Sequence, residues 1–313
     1  MATIDLTLDW TPNTNHTGFY VAAAKGYYDE AGIDVVIHSP GDTGYESTPA
    51  KQVATGEATV AVAPSESAIS YHTHPEYSSL TAIAAICQTD MSAIVTLEES
   101  GLDRPAALDG RTYASYDARF EDYIVRQLIK NDGGDGDIEI TTPPKLGIWE
   151  TLLEGAADAT WVFMPWEGLL AERDGIALNA FTLEEYDVPY GYTPVLVARP
   201  ETIATDDGLS AFLDATARGY QFAADNPAEA AAILREEATG MDIDDLDVLE
   251  ASQRQLASAY LTTDGEWGTM THSRWNAFVE WLADNGILTT IDGEPIPADN
   301  IDAGDLYTTS LLE

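Results

Sequence analysis

Positive charge, cysteine and long apolar runs are all scarce in this chain, and each shortage closes off a class of function. Its 313 residues hold 14 Lys plus Arg against 54 Asp plus Glu, a formal net charge of -40. Such a surface repels polyanions, which argues against nucleic acid and anionic lipid as partners. The single cysteine, Cys87, excludes an intramolecular disulfide and a thiolate metal cluster. It lies in the apolar run LTAIAAICQT, where a small core residue is expected. No stretch approaches the roughly 20 apolar residues of a membrane span, and the first residues lack the basic region and apolar core of a signal peptide. Two locations are therefore expected: the outer face of a membrane, tethered or secreted, if a leader was removed, or the cytoplasm if Met1 is the native start. There is no P-loop, no G-x-S-x-G and no G-x-G-x-x-G.

The acidic excess is spread evenly. ATDDGLSAF, TGMDIDDLDVLE and IPADNIDAGDLY set their carboxylates among periodic apolar residues, the pattern of a solvated surface rather than a charged tail. A halophilic protein is expected. At molar salt the Debye length is only about 3 Å, so self-repulsion is screened there and desalting should destabilise the fold.

With 45% hydrophobic residues the chain can bury substantial cores, and its length suits two lobes. Strand-like runs alternate with helical ones: TIDLTLDW, TGFYVAAAKGYYDEAG, IDVVIHSP, YESTPAKQVATGEA, TVAVAP, SESAISYH and LTAIAAICQT read β-α-β-α-β-α-β. That alternation builds a mostly parallel sheet covered by helices. A second, smaller unit begins near SAIVTLEESG and continues through LDGRTYASY, the helix ARFEDYIVRQLIKN, the strand GDIEITTP, the helix LGIWETLLEG and the strand ADATWVFMP. From residue 205 the chain is nearly all helical. The expected division is a first lobe of 1–91 plus 195–313, carrying the C-terminal helices, and a second of 92–194.

Ligands of open α/β sheets bind beyond the carboxyl ends of strands, and three strand-to-helix junctions are unusually decorated. In DWTPNTNHT, residues 9–17, one helix cap needs one polar residue. Trp10, Asn13, Asn15 and His16 exceed that need and suit a ligand pocket. In VAPSESAIS, Ser65 serves either as a cap or, with Glu66, as a ligand contact at a helix N-terminus. In FMPWEGLLAER, the helix dipole accounts for Glu167 but not for Trp166 beside it. An aromatic plane next to a carboxylate is what an amino-substituted heteroaromatic ring requires: stacking on its face and an acceptor for its edge N–H groups. Further candidates are Tyr116, in YASYDARF, and Tyr190 and Tyr192, in EEYDVPYGYTPVLV, where packing between lobes competes with ligand contact.

The string LDWTPNTNHTGFYVAAAKGYYDEAGIDV, with VAPSESAI, PWEG and YGYTPVLV, resembles the NMT1/THI5-like family, and most nearly its thiamine-pyrimidine binding members, the substrate-binding proteins of ABC importers. The resemblance implies a type II periplasmic-binding fold: two α/β lobes, a hinge of two crossing strands, a helical C-terminal tail and closure over a small ligand. It implies a ligand such as hydroxymethylpyrimidine or formylaminopyrimidine, an ABC importer permease as partner, and a monomer. The ligand residues it implies are Trp10, Asn13, Trp166, Glu167, Tyr190 and Tyr192, with His16 bracing the loop or touching ligand. Riboflavin and sulfonates remain alternative ligands. A sulfonate site should show an arginine or a dense ring of N–H donors; the decorated junctions hold none, although Arg119 lies near one.

The same superfamily contains an enzyme, the pyrimidine synthase of yeast thiamine biosynthesis, which consumes pyridoxal phosphate and its own histidine. Its cysteine-rich string is missing here, and Lys25, Lys51, Lys130 and Lys145 do not resemble the cofactor lysine. No catalytic residue, cofactor or metal is expected. YHTHPEY sets His72 and His74 two apart near Glu76, a spacing that a metal or an ordinary solvated turn would fit. The aspartates of NDGGDGDIE lack EF-hand spacing.

Overall fold

A computed structural model of the protein describes residues 2–40, 47–143, 149–205, 207–241 and 245–312. It comprises two compact units. The first is Met1–Asp90, Gly191–Asn276 and Ile301–Glu313; the second is Met91–Tyr190 and Ala277–Asn300. The expected division gave the whole of 195–313 to the first lobe, whereas the contacts made by Ala277–Asn300 lie mainly within the second unit.

Strand β1 (Ala2–Thr7) buries Ile4 and Leu6 and turns Thr3 and Asp5 outward, the period-two signature of a half-covered strand. Helix α1 (Thr17–Ala24) and the short α2 (Tyr27–Glu30) lead to β2 (Ile33–His38). Helix α3 (Pro49–Thr55) shows why its ends fall where they do. Thr48 caps the N-terminus by accepting from Lys51 N, Pro49 occupies the first turn, and Gly56 closes the helix at φ +84°. Strand β3 (Val60–Ala63), fully buried, α4 (Ser65–His72) and β4 (Thr81–Ala85) follow.

The chain then builds the second unit: β5 (Ser92–Leu97), β6 (Arg111–Ala114), α5 (Glu121–Asn131), β7 (Ile138–Thr141), β8 (Ala159–Phe163), α6 (Leu169–Arg173) and β9 (Leu178–Phe181). Of the expected helix over 146–155, residues 146–148 lie outside the described residues, and Trp149–Leu153 forms a π-type turn. Strand β10 (Val195–Ala198) returns the chain to the first unit. Helices α7 (Pro200–Thr205), α8 (Leu209–Asp225), α9 (Pro227–Glu237), α10 (Leu246–Tyr260) and α11 (His272–Asp284) form the expected helical tail, with Pro227 opening α9.

The two sheets share one topology. The first runs β2-β1-β3-β10-β4 and the second β7-β6-β8-β5-β9. In each, four strands point one way, and the fourth in spatial order, β10 or β5, runs antiparallel to both neighbours. The alternation in the sequence predicts the parallel strands. The reversed one is the strand by which the chain enters the second unit or re-enters the first, so no βαβ crossover fixes its direction. Strand β1 therefore corresponds to β6, and β3 to β8.

Helices α1 and α8 meet backbone to backbone. A Cβ on Gly219 would lie 2.1 Å from the Gly18 carbonyl oxygen, and one on Gly18 would lie 2.2 Å from the Tyr220 ring. Only glycine permits that approach. Cys87 is fully buried, and burial holds its thiol protonated, well above the usual range.

Candidate functional site

At the carboxyl end of β1 the chain enters a buried 3-10 turn, Thr14–His16, capped by Asn13. Asn13 Oδ1 accepts from Asn15 N at 2.9 Å and its Nδ2 donates to the Thr11 carbonyl at 3.1 Å. The Asn13 backbone N–H donates to His16 Nδ1 at 3.2 Å. An accepting Nδ1 places the ring proton on Nε2, which donates to Asp9 Oδ1 at 2.8 Å. His16 is wholly buried and braces the loop, one of the two roles expected of it. The Asn13 amide, expected to read a ligand edge, spends these bonds on its own loop. Trp10 sits half-buried at the start of the turn.

Three side chains from the helical tail hold the same turn from behind. Tyr260 Oη donates to the Thr14 carbonyl and Tyr220 Oη to the Asn15 carbonyl, both at 2.6 Å; Ser252 Oγ lies 2.5 Å from Thr14 Oγ1. Tyr220 stacks on Trp267 with ring centroids 4.9 Å apart. Burial keeps both phenols protonated, far above their ordinary range. None of these tail residues was a sequence candidate, because core tyrosines in helices carry no local signal of what they touch more than 200 positions away.

At the end of β3, Pro64 rather than Ser65 occupies the cap position of α4, and no side chain caps this helix. Ser65 is fully buried, with an Oγ that meets no hydrogen-bond partner among the described residues, and Glu66 is 6% exposed beside it.

In the second unit the end of β6 carries Ser115–Ala118 into α5. Glu121, 3% exposed, gathers the loop: Oε1 accepts from Tyr113 Oη at 2.6 Å, Oε2 from Tyr116 N at 3.0 Å and from Ala118 N at 3.3 Å. Tyr116 is 43% exposed, and its hydroxyl donates to the Trp161 carbonyl at 3.2 Å. Burial of its hydroxyl, with Glu167 and Glu121 nearby, pushes this phenol's pKa up.

At the end of β8, Met164–Gly168 forms a π-type turn before α6. Glu167 Oε2 accepts from Phe163 N at 3.0 Å, so part of this carboxylate closes the turn. Trp166 is buried at 3% exposure. The half-buried indole is instead Trp161, in mid-strand; its ring lies 5.4 Å from Tyr190, which meets Phe278 edge-on at 5.2 Å. In the sequence Trp161 stands out only as a strand residue. Tyr116, Trp161, Tyr190 and Glu167 thus lie in one neighbourhood of the second unit. Tyr192 belongs to the first unit, where it is 2% exposed, accepts from Thr271 N at 3.0 Å and carries the Arg274 guanidinium 3.9 Å above its ring.

Other motifs take structural roles. Arg119 donates to the Thr289 carbonyl and lies over the Phe120 ring. His74 accepts from Glu76 N and packs between Tyr71 and Tyr77. Lys25 pairs with Glu229 at 2.6 Å. Lys145 lies outside the described residues.

The chain is 24% identical over 289 residues to the formylaminopyrimidine-binding protein of Halalkalibacterium halodurans, covering 90% of this chain and 85% of that one. Among solved structures, the alkanesulfonate-binding protein SsuA of Xanthomonas axonopodis pv. citri superposes with a TM-score of 0.71 at 10% identity, over 98% of both chains. The periplasmic nitrate-binding protein NrtA of Synechocystis gives 0.72 at 12% identity, over 99% of this chain and 87% of that one. With the paired sheets, these likenesses establish the type II periplasmic-binding fold. The model of the NMT1/THI5-like family matches residues 13–230, and the chain belongs to that family.

Proposed function

We propose that the protein is a substrate-binding protein that captures a thiamine-precursor pyrimidine, hydroxymethylpyrimidine or formylaminopyrimidine, and hands it to an ABC importer permease. The supporting observation is the chemistry of four corresponding strand ends. They carry carboxylates (Asp9, Glu66, Glu167) and aromatic residues (Trp10, Tyr116), and beside Tyr116 stand the rings of Trp161 and Tyr190. Two arginines lie near these residues, and both are engaged: Arg119 with the Thr289 carbonyl and the Phe120 ring, and Arg274 with the Gln88 carbonyl and the Tyr192 ring. An aminopyrimidine supplies N–H donors for such acceptors and a flat ring for such planes. A sulfonate or nitrate would ask for the reverse polarity. The residues assigned to ligand binding are Trp10, Asn13, Ser65, Glu66 and Tyr192 in the first unit, with His16 bracing the first loop, and Tyr116, Trp161, Trp166, Glu167 and Tyr190 in the second.

A location outside the membrane, a monomeric state and a high-salt habitat belong to this reading. Among the described residues no helix is long and apolar enough to cross a membrane. Binding without covalent chemistry also belongs to it; a reducible Schiff-base absorbance with pyridoxal phosphate at one stoichiometric lysine would favour the synthase instead.

Calorimetry at high salt against hydroxymethylpyrimidine, formylaminopyrimidine, thiamine, riboflavin and taurine tests the proposal. A pyrimidine should bind with a Kd below about 0.1 mM, roughly 5.5 kcal/mol; if none does, the ligand assignment is wrong. Glu167→Ala should abolish most binding, and near-normal affinity would reduce Glu167 to a partner of Phe163 N.

A further inference from the structure

We propose that Glu121 is a positioning residue for ligand capture: its buried carboxylate fixes the loop that displays Tyr116. This rests on the assignment of the β6–α5 junction to pyrimidine binding.

An acid in the first turn of a helix gains from the helix dipole while remaining solvated, so Glu121 has no need of burial on that account. It is nevertheless 3% exposed. Its bonds converge on one short segment. Tyr116 N lies 3.1 and 3.0 Å from its two oxygens, Ala118 N donates to it, and Tyr113 Oη reaches it from β6. Between them Asp117 adopts φ +61°, the left-handed region that aspartate enters more readily than most side chains. Ser115 Oγ accepts from Asp117 N. Tyr116 is thereby pinned at both ends, its backbone by Glu121 and its hydroxyl by the Trp161 carbonyl. Of the residues assigned to the ligand it is the most exposed, so its ring is displayed by a device that is itself hidden.

The charge balance shows what that device costs. Around the carboxyl stand Tyr113 from β6, Tyr116 and the Ala118 N–H from the loop, and Asp122 from α5; Glu167, from the β8–α6 turn, acts on Tyr116. Burial is the largest influence and raises the Glu121 pKa above the usual range; bonds from Tyr113, Tyr116 and Ala118 pull it down, and Asp122 pushes it up again. The net direction is upward, so the hydrogen bonds do not offset the desolvation of the anion.

Glu121→Gln keeps the shape and removes the charge. At pH 7 its Tm should equal or exceed that of the wild type, amide hydrogen exchange at Tyr116 and Ala118 should accelerate at least tenfold, and pyrimidine affinity should fall at least tenfold. With Tyr116→Ala already present, Glu121→Gln should change affinity by less than threefold, because its effect passes through that ring. The proposal is overturned if affinity stays within twofold of wild type, if the two substitutions act independently, or if Tm falls along with affinity, as it would for a structural strut. Should the wild type bind no pyrimidine, the ligand reading fails by itself. Exchange at Tyr116 and Ala118 then decides the matter: unchanged rates reject the role of Glu121 and accelerated rates retain it.

Discussion

At the carboxyl end of β1, the turn Asn13–His16 is held from behind by neutral hydroxyls of Tyr220, Ser252 and Tyr260, from helices more than 200 residues away. At the corresponding end of β6, Ser115–Ala118 is held by one carboxylate three residues beyond it. The two loops occupy the same place in the same sheet topology. The first is rigid only once the tail has packed, and its brace is indifferent to charge. The second is secured locally, through a buried anion that its unit accommodates at a cost. One topology thus supports two ways of presenting side chains, sensitive to different perturbations.

The sharpest way to break the first arrangement without touching the second is Gly219→Ala. The new Cβ would meet the Gly18 carbonyl oxygen at 2.1 Å, backbone against backbone, so α1 and α8 must separate. A loss of about 3 kcal/mol is expected, at the upper end for overpacking, read as a reduced midpoint in chemical denaturation. Hydrogen-exchange protection should fall at residues 13–17 and persist at Tyr116 and Ala118. Uniform loss in both loops would show that the units do not respond separately.

Tyr260→Phe is milder. It removes the hydroxyl that donates to the Thr14 carbonyl and leaves the ring in place. Losing that bond should cost about 1 kcal/mol, with about a fivefold loss of pyrimidine affinity if the turn must be held to bind. Full stability with unchanged affinity would mean that Ser252 and Tyr220 suffice.

How much of this was legible in the sequence divides along the same line. The β-α alternation, the helical tail and the decorated ends of β1, β3 and β8 follow from local patterns, and the family resemblance rests on the residues at those ends. The brace behind the first loop does not: Tyr220 and Tyr260 occupy core positions of α8 and α10, and nothing within their helices announces a carbonyl at residue 14 or 15. Glu121 was hidden for the opposite reason. A first-turn glutamate is so well explained by the helix dipole that its burial among three donors has no signature in the string. Trp161 was overlooked as one alternating strand residue among several, and Trp166, the more conspicuous tryptophan beside a carboxylate, is buried.

Acid sharpens the contrast further. Because the Glu121 carboxyl titrates above its unfolded value, the native state binds more protons than the unfolded state between those two values. Stability from this group therefore falls as pH rises through the window and stays low above it. Denaturation midpoints of wild type and Glu121→Gln should converge below the unfolded carboxyl pKa of about 4.3, separate, with the variant higher, as pH rises from there to the native value, and keep a constant gap above it. Tyr260→Phe leaves Glu121 in place and should track the wild type at a constant offset over the same range.

The smallest effect on stability is expected from Ser65→Ala, at the end of β3. A hydroxyl in the first turn of a helix ordinarily looks like a cap, and its loss would then cost about 1 kcal/mol. Here Pro64 holds the cap position and Ser65 Oγ is buried without a hydrogen-bond partner among the described residues. Deleting an unsatisfied hydroxyl removes a desolvation cost and no hydrogen bond, so the Tm should remain level or rise slightly. If Ser65 serves the ligand, pyrimidine affinity should fall severalfold while stability does not. A drop in Tm would instead reveal the capping role that the sequence suggested, and would place Ser65 with the neutral braces of the first unit rather than with its ligand contacts.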